Sequence, residues 1–114
     1  MHANDTVILI TNNGMGHGPE DLQLALLSKY LQLLDQSGEL PAAICFYTDG
    51  VKLVIDGSPV LELLQAMEIK GVQLIVCSTC LNYFGLTDKV KTGIVGSMAD
   101  ILEAQQKAGK VISL

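Results

Sequence analysis

Cys77-Ser78-Thr79-Cys80 directly follows the apolar run Val72-Gln73-Leu74-Ile75-Val76. That run reads as a buried strand, so two thiols three residues apart are expected where a strand ends. In open α/β sheets the carboxyl ends of strands collect ligands and reacting groups, because loops there are held by a rigid scaffold and reach solvent. Sulfur chemistry is therefore the leading reading. The thiolate is the nucleophile, and an unperturbed thiol near pKa ~8.5 is only about 3% ionised at pH 7. If Cys80 starts a short helix, the dipole there contributes ~0.3–1 kcal/mol, under one pKa unit. Lys89 and Lys91 are the nearest cations in sequence. Such modest activation suffices for sulfur transfer when one sulfur is accessible and a partner delivers an already activated sulfur. The reading requires Cys77 to project from the sheet's rim into an open pocket.

Other readings of the same residues stand beside it. The alternative is a noncatalytic oligomeric binding module whose cysteines are structural or bind metal, small buried residues at a strand end, since Cys is among the most buried residue types. Structural zinc needs about four ligands, and only His17 and Cys45 are available to join the pair. A thioredoxin-type redox pair has this spacing but not these neighbours, which lack the expected aromatic and Pro residues. The loop Gly14-Met15-Gly16-His17-Gly18 follows a strand and opens a helix, as a phosphate cradle does. It lacks the GxGxxG pattern, and Glu20 and Asp21 would repel a phosphate. The alternative is that Gly14, Gly16 and His17 turn tightly beside the cysteine loop and form a wall of its substrate site. His17 is then either a solvated loop residue or an acid or base, and Cys45 packs inside its strand.

The elements that would position these groups alternate along the chain. Thr6 to Thr11, Ala42 to Tyr47 and Val72 to Val76 are β-branched or apolar runs that read as strands, with a weaker one within Val90–Val95 and a last one at Lys110–Leu114. A first helix opens at Pro19-Glu20-Asp21, with Pro and two carboxylates in its first turn, and stops at Ser37-Gly38. Leu22, Ala25, Leu26, Lys29, Tyr30, Leu33 and Leu34 cover a broad face of it, and Leu24, Leu27 and Leu31 make it wider still. Ser58 as N-cap and Pro59 as first residue start a second helix running to about Lys70. Val51–Ile55 is ambiguous between a helical turn and an extended piece. Leu81–Phe84 forms a short helix closed by Gly85, and Ser97 caps a last helix with Ile101, Leu102 and Ala104 facing inward. Near-continuous apolar strands alternating with helices predict an α/β fold with a parallel sheet covered on both faces.

Bulk properties narrow the function. The chain has 114 residues and suits one domain spanning 1–114. Seven basic against twelve acidic residues give a net charge of −5 with no basic run, so no nucleic-acid partner is expected. No apolar stretch reaches the ~20 residues needed to cross a bilayer, and Met1–Asp5 lacks the features of a signal peptide, so the chain reads as cytosolic with no membrane partner. Three cysteines in such a pattern do not suggest a disulfide framework. Hydrophobic residues make up 49% and mean hydropathy is +0.40. In so small a domain apolar surface is left over, which points to self-association.

Asp5-Thr6-Val7-Ile8-Leu9-Ile10-Thr11, Gly14-Met15-Gly16, Gly50-Val51-Lys52-Leu53, Gly57-Ser58 and Cys77-Ser78-Thr79-Cys80-Leu81 through Gly85-Leu86-Thr87-Asp88 together resemble the DsrE-like sulfur-relay family. The variety most similar is the DsrE-like domain of sulfurtransferase-like selenium-metabolism proteins. The resemblance implies a three-layer α/β/α domain with a five-stranded, largely parallel sheet, flavodoxin-like in layout, assembled as a homo- or hetero-oligomer. It implies catalytic Cys77, carrying a persulfide between sulfur donor and acceptor proteins, with Cys80 assisting or resolving it. It calls for no cofactor and no metal. Relatives of this variety often have an additional domain with a Cys-Pro motif, which this sequence does not contain.

Overall fold

The computed structural model describes residues 5–114. Five strands, β1 (Thr6–Ile10), β2 (Ala43–Phe46), β3 (Gln73–Cys77), β4 (Ile94–Gly96) and β5 (Lys110–Ser113), form one sheet in the order β4-β3-β2-β1-β5. Every pairing is parallel. Four helices connect them: α1 (Glu20–Ser37), α2 (Leu61–Ile69), α3 (Ser78–Phe84) and α4 (Met98–Lys107). Parallel crossovers are right-handed. The steps β1 to β2 to β3 move one way across the sheet, which puts α1 and α2 together on one face, where they touch. The return from β4 at one edge to β5 at the other moves the opposite way and carries α4 over the other face, against β3. The result is the expected α/β/α sandwich.

Burial explains why the central strands form. Val7, Ile8, Ile10, Ala43, Ile44, Cys45, Phe46, Leu74 and Val76 are each 3% exposed or less, as a sheet covered on both faces demands. Cys45 lies between Leu9 and Ile75 on the flanking strands and packs in the core. Burial pushes its thiol up to about 11, so the folded chain keeps a proton that the unfolded chain releases near pH 9. Stability from this group is complete below that point and falls as pH rises toward 11, by about 3 kcal/mol in all. Denaturant titrations across this range should show that slope in the wild type and a shallower one in Cys45→Ala.

Several boundaries moved. Val60, not Ser58, is the N-cap of α2, and Pro59 lies outside the helix. The Ser58 carbonyl and hydroxyl accept from Leu61 N–H and Val60 N–H in a preceding turn, each at 3.3 Å. Val60 is fully buried there, and that anchorage outweighs the local capping preference. Extended pairing in the fourth strand begins only at Ile94, because Thr92 donates to Glu68 Oε1 at 2.6 Å and Gly93 turns the chain at φ 86°. The apolar face of α1 buries only part of what was expected: Leu27 and Leu31 are buried together with Gln23, while Leu22, Leu26 and Leu33 stand in solvent. Leu102 on α4 is likewise exposed, although Ile101 is buried. Ser97 caps α4 as expected, through a reciprocal capping box with Asp100.

Candidate functional site at the carboxyl rim

Register brings three strand ends level. Ile10 pairs with Phe46 and Phe46 with Val76, so the next residues, Thr11, Tyr47 and Cys77, stand side by side at the rim, with Cys77 still paired to Gly96 of β4. Past β2 the chain turns sharply through Thr48-Asp49-Gly50 into a 3-10 helix, Thr48–Val54, which resolves the ambiguous stretch. This turn lies directly on β1: Tyr47 N–H donates to the Ile10 carbonyl at 3.2 Å, and Gly50 sits against the same peptide group. A Cβ at Gly50 would collide with the Ile10 carbonyl oxygen and lie 2.8 Å from its carbon. Glycine is required here by close approach.

The thiol pair rests beside this turn. Cys77 ends β3 and is the N-cap of α3, so Cys80 is the third residue of that helix and not its start. The spacing of three places both sulfurs on one side, with Sγ atoms 3.1 Å apart and Cys80 donating to Cys77. Both are free thiols. Thr48 N–H donates to Cys80 Sγ at 3.1 Å, and the Thr48 hydroxyl reaches back to the Thr11 and Tyr47 carbonyls. One continuous path therefore joins the ends of β1, β2 and β3 to both sulfurs.

The open position required of Cys77 is not found. Cys77 is 1% exposed, so its sulfur does not project into an open pocket, whereas Cys80 is half-buried and meets solvent. The cavity of about 380 Å³ between β4 and α4 is lined by Gln73, Ile75, Ile94, Asp100 and their neighbours and includes neither thiol. Burial raises the Cys80 thiol above its ordinary value, and its bond to Cys77 adds to this. The Thr48 N–H acts the other way. A donor to sulfur favours the thiolate, and desolvation disfavours it.

The cations named from sequence do not bond to the pair. Lys91 uses its backbone N–H on the Val54 carbonyl, and the Lys89 carbonyl accepts from Asp56. Lys52 is the cation beside α3: it lies 4.5 Å from the Phe84 ring centre and is paired with Asp49 at 2.8 Å. Its charge is thereby partly neutralised.

Gly14, Gly16 and His17 form a self-contained loop around Gln23, a residue the sequence reading passed over. Gln23 Oε1 accepts from Gly18 N–H at 3.0 Å and Asn12 Nδ2 at 3.2 Å. The Gln23 carbonyl accepts from Met15 N–H at 3.0 Å. These amides face the glutamine, which leaves the loop poorly equipped as a phosphate cradle. Gly14 is buried at φ 130°, and a Cβ there would lie 2.6 Å from the Gln23 carbonyl carbon. Gly16 and His17 are exposed, with His17 Nδ1 3.4 Å from Asn12 Nδ2. The loop connects to the thiols only by adjacency to Thr11. Among the described residues no three His, Cys, Asp or Glu side chains gather as a metal site.

A family model, DsrE/DsrF-like, matches residues 6–114. The chain belongs to the DsrE/DsrF-like family. No curated protein sequence matches it. Its fold is similar to that of the ychN protein from E. coli, with a TM-score of 0.73 and 18% identity over 98% of this chain and 100% of that one. It is similar also to MTH1491 from Methanobacterium thermoautotrophicum, a protein of unknown function, at TM-score 0.70 and 18% identity over 96% and 97%. BT1422 from Bacteroides thetaiotaomicron, another conserved protein of unknown function, gives 0.68 and 19% over 96% and 95%. At these identities the likeness concerns the fold alone. At the carboxyl rim of this fold the chain carries two touching thiols of unequal exposure. No helix among the described residues is long and apolar enough to cross a membrane.

Proposed function

We propose that this chain is a cytosolic, single-domain sulfur carrier that moves sulfane sulfur on Cys80 between donor and acceptor proteins, with Cys77 as the resolving thiol. The observation that carries the reading is the contact of two free sulfurs, 3.1 Å apart, at the carboxyl end of a central strand. Membership in the DsrE/DsrF-like family supports it. Cys80 takes the first step because it is the thiol within reach of a macromolecular donor, which reverses the order that the resemblance implied. Its thiolate attacks the outer sulfur of a donor persulfide; a new S–S bond forms on Cys80, the donor's S–S bond breaks, and the donor leaves as a thiolate. An acceptor thiolate then attacks that outer sulfur, and the bonding pair returns to Cys80. Cys77 is the resolving thiol: attack on the inner sulfur of the Cys80 persulfide yields a Cys77–Cys80 disulfide and hydrosulfide, after which a thiol reductant restores the pair.

Mass mapping after incubation with a low-molecular-weight persulfide tests this. One added sulfur on Cys80, or a Cys77–Cys80 disulfide with released sulfide, is the expected result. Modification confined to Cys45, or none, would overturn it.

The carrier works as a homo-oligomer. Large apolar side chains left in solvent on α1 (Leu22, Leu26, Leu33) and on β4 and α4 (Ile94, Val95, Met98, Leu102) support this, since exposed apolar side chains favour interfaces. Sedimentation of the purified chain should show a species larger than 12.2 kDa; a monomer at high concentration would refute it.

A further inference from the structure

We propose that Thr48 is a positioning residue for the thiol pair, held in an unfavourable backbone conformation so that its N–H stays fixed on the Cys80 sulfur. Thr48 has φ 49°, the one positive φ outside glycine among the described residues. A β-branched residue there is a genuine outlier, and such conformations persist only where the surroundings over-determine them. Glycine or asparagine is the usual occupant of this conformation in a turn. What threonine adds is the hydroxyl, whose proton is shared between the Thr11 and Tyr47 carbonyls. That tie, with Gly50 N–H on the Tyr47 carbonyl at 3.0 Å, holds the Thr48 peptide so that its N–H meets Cys80 Sγ at 3.1 Å.

The donor matters when charge forms on that sulfur. As a thiol, Cys80 gives its proton to Cys77 Sγ. As a thiolate it is purely an acceptor, and it then faces the Thr48 N–H and the Cys77 thiol, which can turn to donate back. The charged groups on the adjoining turn, Asp49 and Lys52, pair with each other at 2.8 Å, and Cys77 is the titratable group in contact. The Thr48 N–H is thus a fixed donor for the anion, consistent with its opposing effect to burial at Cys80. Under the sulfur-carrier reading, on which this last step rests, the same N–H donates to the Cys80 sulfur as the bonding pair returns to it when an acceptor takes the outer sulfur. A better-stabilised leaving thiolate departs faster.

The test is the pH profile of Cys80 alkylation by iodoacetamide in the full chain, mapped by mass spectrometry. Thr48→Val removes the hydroxyl tie while keeping the branched shape. Its profile should move up by about one pH unit, which is about a tenfold slower reaction at neutral pH. Thr48→Ser keeps the tie and should titrate as wild type. Equal profiles for Val and wild type, or equal shifts for Ser and Val, would overturn the proposal. If Thr48→Val does not fold, the wild-type chain still decides: the Thr48 amide proton resonance should shift with the Cys80 titration and share its midpoint, and an amide that ignores that titration overturns the assignment. Neither readout uses a sulfur donor, so a chain with the expected profiles but no persulfide loading would count against the carrier reading and leave the Thr48 role standing.

Discussion

Cys80→Ser should reduce sulfur loading from a persulfide donor to background, while Cys77→Ser should still load. The argument is geometric before it is chemical. A donor protein must bring its persulfide within bonding distance of the acceptor sulfur, and Cys77, at 1% exposure, is screened by its own chain. Cys80 meets solvent and already has one donor N–H on its sulfur. The two variants should also differ in what happens after loading. Without Cys77 no thiol lies 3.1 Å from the Cys80 sulfur, so internal release of sulfide stops and the persulfide on Cys80 should live longer. Mass spectrometry over time and sulfide release read both effects. Loading of Cys80→Ser at the wild-type rate, with the sulfur found on Cys77, would restore the order implied by the family resemblance.

Gly50→Ala should be the most damaging single methyl addition at the rim. The added carbon would collide with the Ile10 carbonyl oxygen and stand 2.8 Å from its carbon, both of them backbone atoms in a central strand. No side-chain rotation relieves that. Overpacking of this kind costs up to about 3 kcal/mol, which in a domain of this size lowers the thermal midpoint by roughly 12 °C. The same displacement would carry Thr48 away from Cys80, so the surviving folded fraction should also alkylate more slowly at neutral pH. A control at Gly57, where a Cβ meets nothing within 4 Å although φ is 88°, should be milder, because only conformational strain opposes it.

The strands and the helix stops were legible because they are local signals: apolar runs of strand length, Gly38 and Gly85 in left-handed conformations after α1 and α3, and Ser97 with Asp100 at α4. The position of the thiols at a strand end was legible for the same reason. Which thiol reaches solvent was not. That depends on how α3 leaves β3, with Cys77 turned under it as N-cap, a tertiary outcome that spacing alone does not encode. The leucines of α1 hid its buried stripe, since apolar residues at 22, 24, 26, 27, 31, 33 and 34 fit more than one helical phase. Only Gln23 marks the true one, and it was overlooked because a polar residue in a leucine-rich helix reads as surface. Thr48 had no sequence signal beyond an unusual residue type beside Asp49-Gly50. Its role comes from the approach of β1 and α3, which are distant in sequence.

Because all five strands run the same way, whatever is attached after Leu114 emerges on the same side of the sheet as the cysteines. Counting three strand spacings from β5 to β3 at about 4.8 Å each, a dye or affinity handle there would begin roughly 14 Å from the sulfurs. A handle joined ahead of Thr6 leaves from the opposite side. Labelling schemes for this molecule should therefore favour the amino end when a visiting protein must dock, and the carboxyl end when proximity to the thiols is to be measured.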